Sequence, residues 1–389
     1  MRFSRRTGWD LEESSLWLAI ENAKRAHRVT DLTASNPTLV IESPDMVAAL
    51  GHPRGAAYEP TPRGAVDARA AIAHYYAQRN LRADPERLVL SASTSEAYAW
   101  LFKLLCDDGD RVLVPTPSYP LFGYLAGLED VDVAPYSLSK HANWRIERDS
   151  LERAVDARTR AIVIVHPNNP TGSFVDKEDA AFLQAFAASH DLALVADEVF
   201  MDYPHGTVPA HCLRSFIELD RTPTFVLSGL SKVAALPQLK LGWMHVSGPD
   251  AFVKGAMARL EMIADTYLSV STPVQLAAAE ILASCGRVQD GIRGLIAANL
   301  AALDRALVHA HESAIRRLPC EGGWCAILEV PRTRTDEEWV EVLLHEEGVL
   351  VYPGYFFDLE PEGHIVLSLL VDQNAFAHAA QRIVSRLAL

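Results

Sequence analysis

The sequence predicts an α/β protein, with a large domain built on a mostly parallel sheet and a small α+β domain. Two observations predict it. Short apolar runs at 87–93, 111–115, 131–136, 161–166, 192–197 and 224–228 alternate with helical segments. Strands that are apolar throughout are those covered on both faces by crossover helices. After about residue 312 the rhythm changes to a strand (GGWCAILEV), a helix (DEEWVEVLLHEEG), VLVY, HIVLSLLV and a closing helix. That run reads as a smaller α+β unit.

The elements follow in order. LEESSLWLAIENAKRAH places Leu11, Leu16, Ile20 and Ala23 at helical spacing. SEAYAWLFKLLC, YPLFGYLAGL and KEDAAFLQAFAASH read as the helices between strands, and 250–312 as one long helical region. We place the large domain at 46–285, and the small one at 1–45 together with 286–389.

Composition narrows the class. Of 389 residues, 49% are hydrophobic and 22% charged, enough to build a large core and too apolar for a disordered chain. The net charge of −14 argues against a nucleic-acid protein, whose footprint is basic. Cys106, Cys212, Cys285, Cys320 and Cys325 are scattered without a CxxC pair. That fits a reducing compartment and predicts neither a disulfide framework nor a metal site. No apolar run reaches the roughly 18 residues of a membrane span, and the basic N-terminus lacks the apolar stretch of a signal peptide. The expectation is a cytoplasmic enzyme away from membranes.

Ligands in open α/β sheets bind beyond the carboxyl ends of the strands. Here those ends deliver Ser93-Thr94-Ser95-Glu96, Ser118-Tyr119, His166-Pro167-Asn168-Asn169-Pro170-Thr171-Gly172, Asp197-Glu198 and Ser228-Gly229-Leu230-Ser231-Lys232. Each has an ordinary explanation by itself: a helix cap, a turn, a surface lysine. Together they put hydroxyls, an aromatic, an amide, a carboxylate and a lysine on one edge. That set suits a planar, anionic, electrophilic cofactor.

This order of motifs resembles the fold-type-I pyridoxal-phosphate (PLP) enzymes, specifically the class I/II aminotransferases. The resemblance runs from about Asn36 to Gly354 and rests on YEPTPRG (58–64), NNPTG (168–172), DEVF (197–200) and SGLSK (228–232), with Asp197 and Lys232 35 residues apart. It implies the PLP-transferase fold, pyridoxal 5′-phosphate as cofactor, an amine and a keto acid as partners, and a homodimer. Lys232 would hold the cofactor as a Schiff base and then move the proton. Asp197 would pair with the pyridine nitrogen. Asn169 would donate to the ring's phenolic oxygen, and Tyr119 would stack on the ring. Thr94, Ser95, Ser231 and Lys240 would hold the phosphate, with Tyr58 reaching the phosphate of a neighbouring subunit. Asn36 would line the substrate side.

Three positions depart from the family pattern. Phe200 stands where a tyrosine is common, so one hydrogen bond to the phenolic oxygen is lost. Lys240 stands where an arginine usually binds the phosphate, and it brings a point charge without the bidentate fork. The segment PGYFFDLEPEGHIVLSLLV (353–371) contains no arginine, although the family usually grips a substrate carboxylate from there. His364 or Val366 takes that place, which makes His364 a candidate anchor, against a plain solvent-facing histidine. The leading function is ping-pong amino transfer. A β-lyase, cyclase or decarboxylase on the same fold is the alternative, and a catalytically silent cofactor-binding homologue is a third.

Overall fold

The computed structural model describes residues 2–26, 29–308 and 314–389. Its centre is an eight-stranded sheet. From one edge to the other the strands are Leu88–Ser91, Gly242–Ser247, Thr224–Gly229, Ala193–Asp197, Thr159–Val165, Arg111–Thr116, Asp132–Ser139 and Arg145–Ile146. The five strands from Thr224–Gly229 to Asp132–Ser139 run parallel. Gly242–Ser247 is antiparallel to both of its neighbours.

Strand alternation sorts the side chains into two layers. Leu90, Leu113, Ile162, Ile164, Leu194 and Val226 pack on one face. Val89, Val112, Val163, Val195, Phe225 and Met244 pack on the other. Both faces are therefore dry, which explains why these strands read as unbroken apolar runs.

Two differences from the sequence reading stand out. The fully buried strand Gly242–Ser247 lies outside the sequence expectation, although Gly248-Pro249 punctuates its end. The long helical region is two helices, Asp250–Tyr267 and Thr272–Val308. The break comes at Leu268, which takes a left-handed conformation (φ 46°) and closes the first helix. Residues 309–312 of the expected helical region lie outside the described residues. The expected boundary at residue 285 falls inside the continuous Thr272–Val308 helix.

The smaller sheet is antiparallel, in the order Arg316–Arg317, Cys325–Glu329, His364–Ser368 and Tyr352–Pro353. The N-terminal segment forms a separate two-stranded sheet beside it. Thr30–Asp31 pairs parallel with Val349–Leu350, and the Ser15–Ala26 helix packs on the Asp336–Glu347 helix. Asp336–Glu347 is bounded by a capping box at Thr335 and Glu338 and by left-handed Gly348. Ser368 donates to the Ala34 carbonyl (2.5 Å), so the chain around Ser35 is pinned against this sheet.

Candidate active site

The parallel strands end at a cavity of about 320 Å³, within the usual range for small-molecule sites. Its walls carry Thr94, Ser95, Tyr119, Asn169, Asp197, Phe200, Ser231, Lys232 and Lys240. Nine residues chosen from scattered motifs thus share one space. The cause is topological, since neighbouring parallel strands all finish on the same side.

Local structure aims each group. The helix Thr94–Leu105 begins here. Ser93 caps it by accepting from the Glu96 amide (3.1 Å), while Glu96 accepts from Ala92 N (2.6 Å) and from the Ser269 hydroxyl (2.6 Å). Thr94 and Ser95 therefore occupy the first turn, where free N–H groups and the helix dipole favour an anion. Lys240 follows the short turn Pro237–Leu239 in a left-handed conformation (φ 52°). Gly242 lets this segment approach the helix start, because a Cβ there would lie 3.0 Å from the Ser93 carbonyl carbon.

Asn168 and Asn169 divide their work. Asn168 is buried and donates to Pro117 O and Thr171 Oγ1, both at 3.0 Å, holding the turn. Asn169 is then free to line the cavity. Gly172 closes the turn at φ +69°, and a Cβ there would collide with the Gly322 carbonyl at 2.2 Å.

Lys232 sits in the one-turn helix Leu230–Val233. Tyr203 donates its hydroxyl to the Lys232 carbonyl (2.5 Å), and Gln289 Nε2 donates to Val233 O (2.8 Å). Gln289 is held in turn by Arg79 (3.1 Å), itself paired with buried Asp202 (2.8 Å). The Lys232 ammonium lies 4.6 Å from the Trp324 ring centre and 5.5 Å from that of Phe200. Burial pulls its pKa down to about 8, against the attraction of Asp197. A lysine at that value is partly unprotonated near neutrality and can act as a nucleophile.

Asp197 ends the strand Ala193–Asp197 and is buried. Val199 N donates to its Oδ1 (3.2 Å) and Tyr98 Oη to its Oδ2 (3.3 Å). Burial pushes its pKa up to about 6, while those two donors and Lys232 pull the other way. A cationic ring nitrogen at this carboxylate would be a strongly favoured partner.

Three expected residues stand elsewhere. Tyr58 is 75% exposed and lines a separate groove with Thr61, Trp100 and Ser269. Asn36 is exposed and accepts from Thr38 N (3.1 Å), and its neighbour Ser35 reaches the cavity instead. His364 is neither a cavity residue nor a solvent-facing one. It is fully buried, with Nδ1 3.0 Å from Pro361 O and Nε2 3.9 Å from Glu329. Its strand packs on both faces, so a histidine there is enclosed.

Sequence reasoning missed Tyr98, Trp324, Cys325 and Ser368, all of which line the cavity. For Tyr98 a signal existed, since it lies one helical turn beyond Thr94 and shares its face. Trp324 stacks edge-on against Phe200 (5.2 Å) and Tyr203 (5.0 Å). It immediately precedes the small-sheet strand Cys325–Glu329, and no local pattern joins it to Lys232.

The family model for aminotransferase class I and II matches residues 30–383. The chain belongs to that family. It is a PLP-dependent aminotransferase. It is similar to the glutamate-pyruvate aminotransferase AlaA of Haemophilus influenzae, at 28% identity over 94% of this chain and 92% of that one. It is also similar to the alanine aminotransferase of Mycobacterium tuberculosis, at 26% identity over 92% and 85%. In fold it matches an alanine aminotransferase from Pyrococcus furiosus with a TM-score of 0.86, at 23% identity over 99% of each chain. A Thermus thermophilus aspartate aminotransferase mutant gives a TM-score of 0.85 at 23% identity, with both chains covered in full. The cavity residues fit the cofactor: a helix start with two hydroxyls and a lysine for its phosphate, a buried carboxylate for its nitrogen, a lysine of lowered pKa for its aldehyde.

Proposed function

We propose that this aminotransferase works by a ping-pong cycle at the Lys232 cavity, first taking an amino group and then giving it to a keto acid. The presence of Lys232 and buried Asp197 on the walls of one cavity carries this reading. Bound PLP supplies an electron sink for the carbon that carries the substrate's nitrogen. Asp197 keeps the ring nitrogen protonated. Two unit charges about 4 Å apart attract by roughly 4 kcal/mol at an effective dielectric near 20.

Lys232 holds the cofactor by its amine at rest. Once displaced, that same amine is the base that lifts a proton from the substrate carbon and returns it one atom away. Thr94, Ser95, Ser231 and Lys240 bind the phosphate, and Tyr119 covers the ring. Asn169 donates to the ring oxygen without help from residue 200, because Phe200 has no hydroxyl. The names of the relatives support an amino acid and its keto acid as one substrate couple.

The working unit is a homodimer in the cytoplasm. Exposed Tyr58 supports the dimer, since in this arrangement it reaches the phosphate of a second copy. The test is incubation with an amino donor and no acceptor. An aminotransferase converts the cofactor absorbance stoichiometrically to that of the amine form and stops. A lyase turns over and keeps its starting spectrum.

A further inference from the structure

The substrate side of the cavity is built from neutral groups. Phe200 and Trp324 form an aromatic wall, with Cys325, Ser35 and Ser368 beside it. Among the described residues, Lys232 and Lys240 are the only cations lining the cavity, and the proposed function commits both to the cofactor. The strand His364–Ser368 shows how this side is made. Residues 364, 366 and 368 alternate onto one face. Ser368 pairs with Cys325 at the cavity, and the next pair on that face is Val366 with Ile327. Val366 is fully buried among Trp144, Leu318 and Phe357. Beyond it, His364 turns to Glu329, which already holds Lys140 (2.9 Å) and Arg316. The cations of this face are thus spent on Glu329.

Nor is Ser368 a donor in reserve. It gives its hydrogen to Ala34 O and accepts from Leu370 N (3.2 Å). The Cys325 thiol stays neutral, because burial pushes its pKa up to about 12 despite Lys232 nearby. A carboxylate placed on this side would lose its hydration without meeting a cation. An apolar group would meet Phe200 and Trp324 and gain by burial.

We infer that the preferred amino donor is a primary amine whose reacting carbon carries an apolar group and no carboxylate. The inference rests on the site reading given under the proposed function. In the half-reaction the donor gives its nitrogen, one proton and one electron pair to the cofactor's aldehyde carbon. It leaves as the aldehyde, the water lost on condensation being regained on release. The acceptor reverses these steps at the same wall, so a keto acid presents its apolar end there, with its carboxylate turned away, and leaves as an amino acid.

The test uses holoenzyme and matched pairs: 2-phenylethylamine against phenylalanine, and isopentylamine against leucine. Cofactor absorbance is followed without acceptor. Each amine should half-convert the cofactor at a concentration roughly tenfold or more below its amino acid, as for loss of a charge-assisted contact. A binding arm uses non-reacting probes. 3-Phenylpropan-1-ol should raise the melting temperature, and 3-phenylpropionate should not. Amino acids that react at equal or lower concentration, or a shift with the propionate that matches the alcohol, would overturn the inference and point to a cation supplied by a second copy. So would a failure of both members of each pair. Borohydride reduction run in parallel separates the two claims. Cofactor fixed on Lys232 keeps the site reading standing whatever the donor, and its absence removes that reading itself.

Discussion

Tyr98 donates its hydroxyl to Oδ2 of Asp197 at 3.3 Å, from within a fully buried helix face. It is one of two donors that hold this carboxyl ionised against its burial, the other being Val199 N. Tyr98→Phe removes that donor and leaves the ring in place. The acid limb of the kcat profile should move to higher pH, and kcat at pH 7 should fall roughly threefold to tenfold. An unmoved acid limb would show that Tyr98 only fills space.

Asp197→Asn keeps the shape and removes the charge. The cofactor should still bind through the phosphate groups and Lys232. kcat should fall by at least about a hundredfold, because a pairing worth roughly 4 kcal/mol is lost. Absorbance of the loaded variant with a stopped-flow half-reaction checks both parts. A variant with normal kcat would remove Asp197 from the chemistry.

Much of this site was legible because parallel strands turn sequence order into spatial order. Ser93–Ser95, Asn169, Asp197 and Lys232 each follow an apolar run, and the sheet brings those ends together. Local chemistry also marked the helix starts, as at Ser93 and Thr335. What could not be read came from pairing between distant segments. Trp324 reaches Lys232 only because the small sheet is set against the large one, and Ser35 lines the cavity because Ser368 holds Ala34. His364 was misplaced for the same reason: its strand is central in the small sheet, between Cys325–Glu329 and Tyr352–Pro353. Edge or centre is decided by partners that no local pattern names.

Glu198 gives a pH-dependent prediction. It is buried next to Asp197 and accepts from Ser215 Oγ (2.7 Å) and Phe216 N (2.6 Å). Burial pushes its pKa up to about 8, against those two bonds. The folded state therefore binds a proton more tightly than the unfolded chain. This contribution to stability is complete below about pH 4.5 and is lost as pH rises through 8. Glu198→Gln keeps the shape and the Phe216 N bond, makes the Ser215 hydroxyl accept instead of donate, and carries no charge. The variant should be more stable than the parent at pH 9, by at least about 1 kcal/mol, with the difference gone at pH 4.5. Urea melts at the two values check this, and an equal difference at both would contradict it.

Gly172 closes the turn that frees Asn169. Gly172→Ala combines a left-handed φ of +69° with a clash at the Gly322 carbonyl. It should destabilise the fold by about 2 kcal/mol or more. Gly123→Ala is the control, since nothing lies within 4 Å of its Cβ position. It should change the melting temperature little. Equal melting temperatures for the two variants would show that the turn yields.

The central claim is that the amine of residue 232 carries the coenzyme. Holoenzyme reduced with borohydride, then digested and mapped by mass, measures this directly. One modified peptide is expected, with the pyridoxyl mass on Lys232 and none in a Lys232→Ala variant. A label on Lys240 or another lysine, or an unmodified Lys232 peptide from enzyme that still turns over, would contradict it.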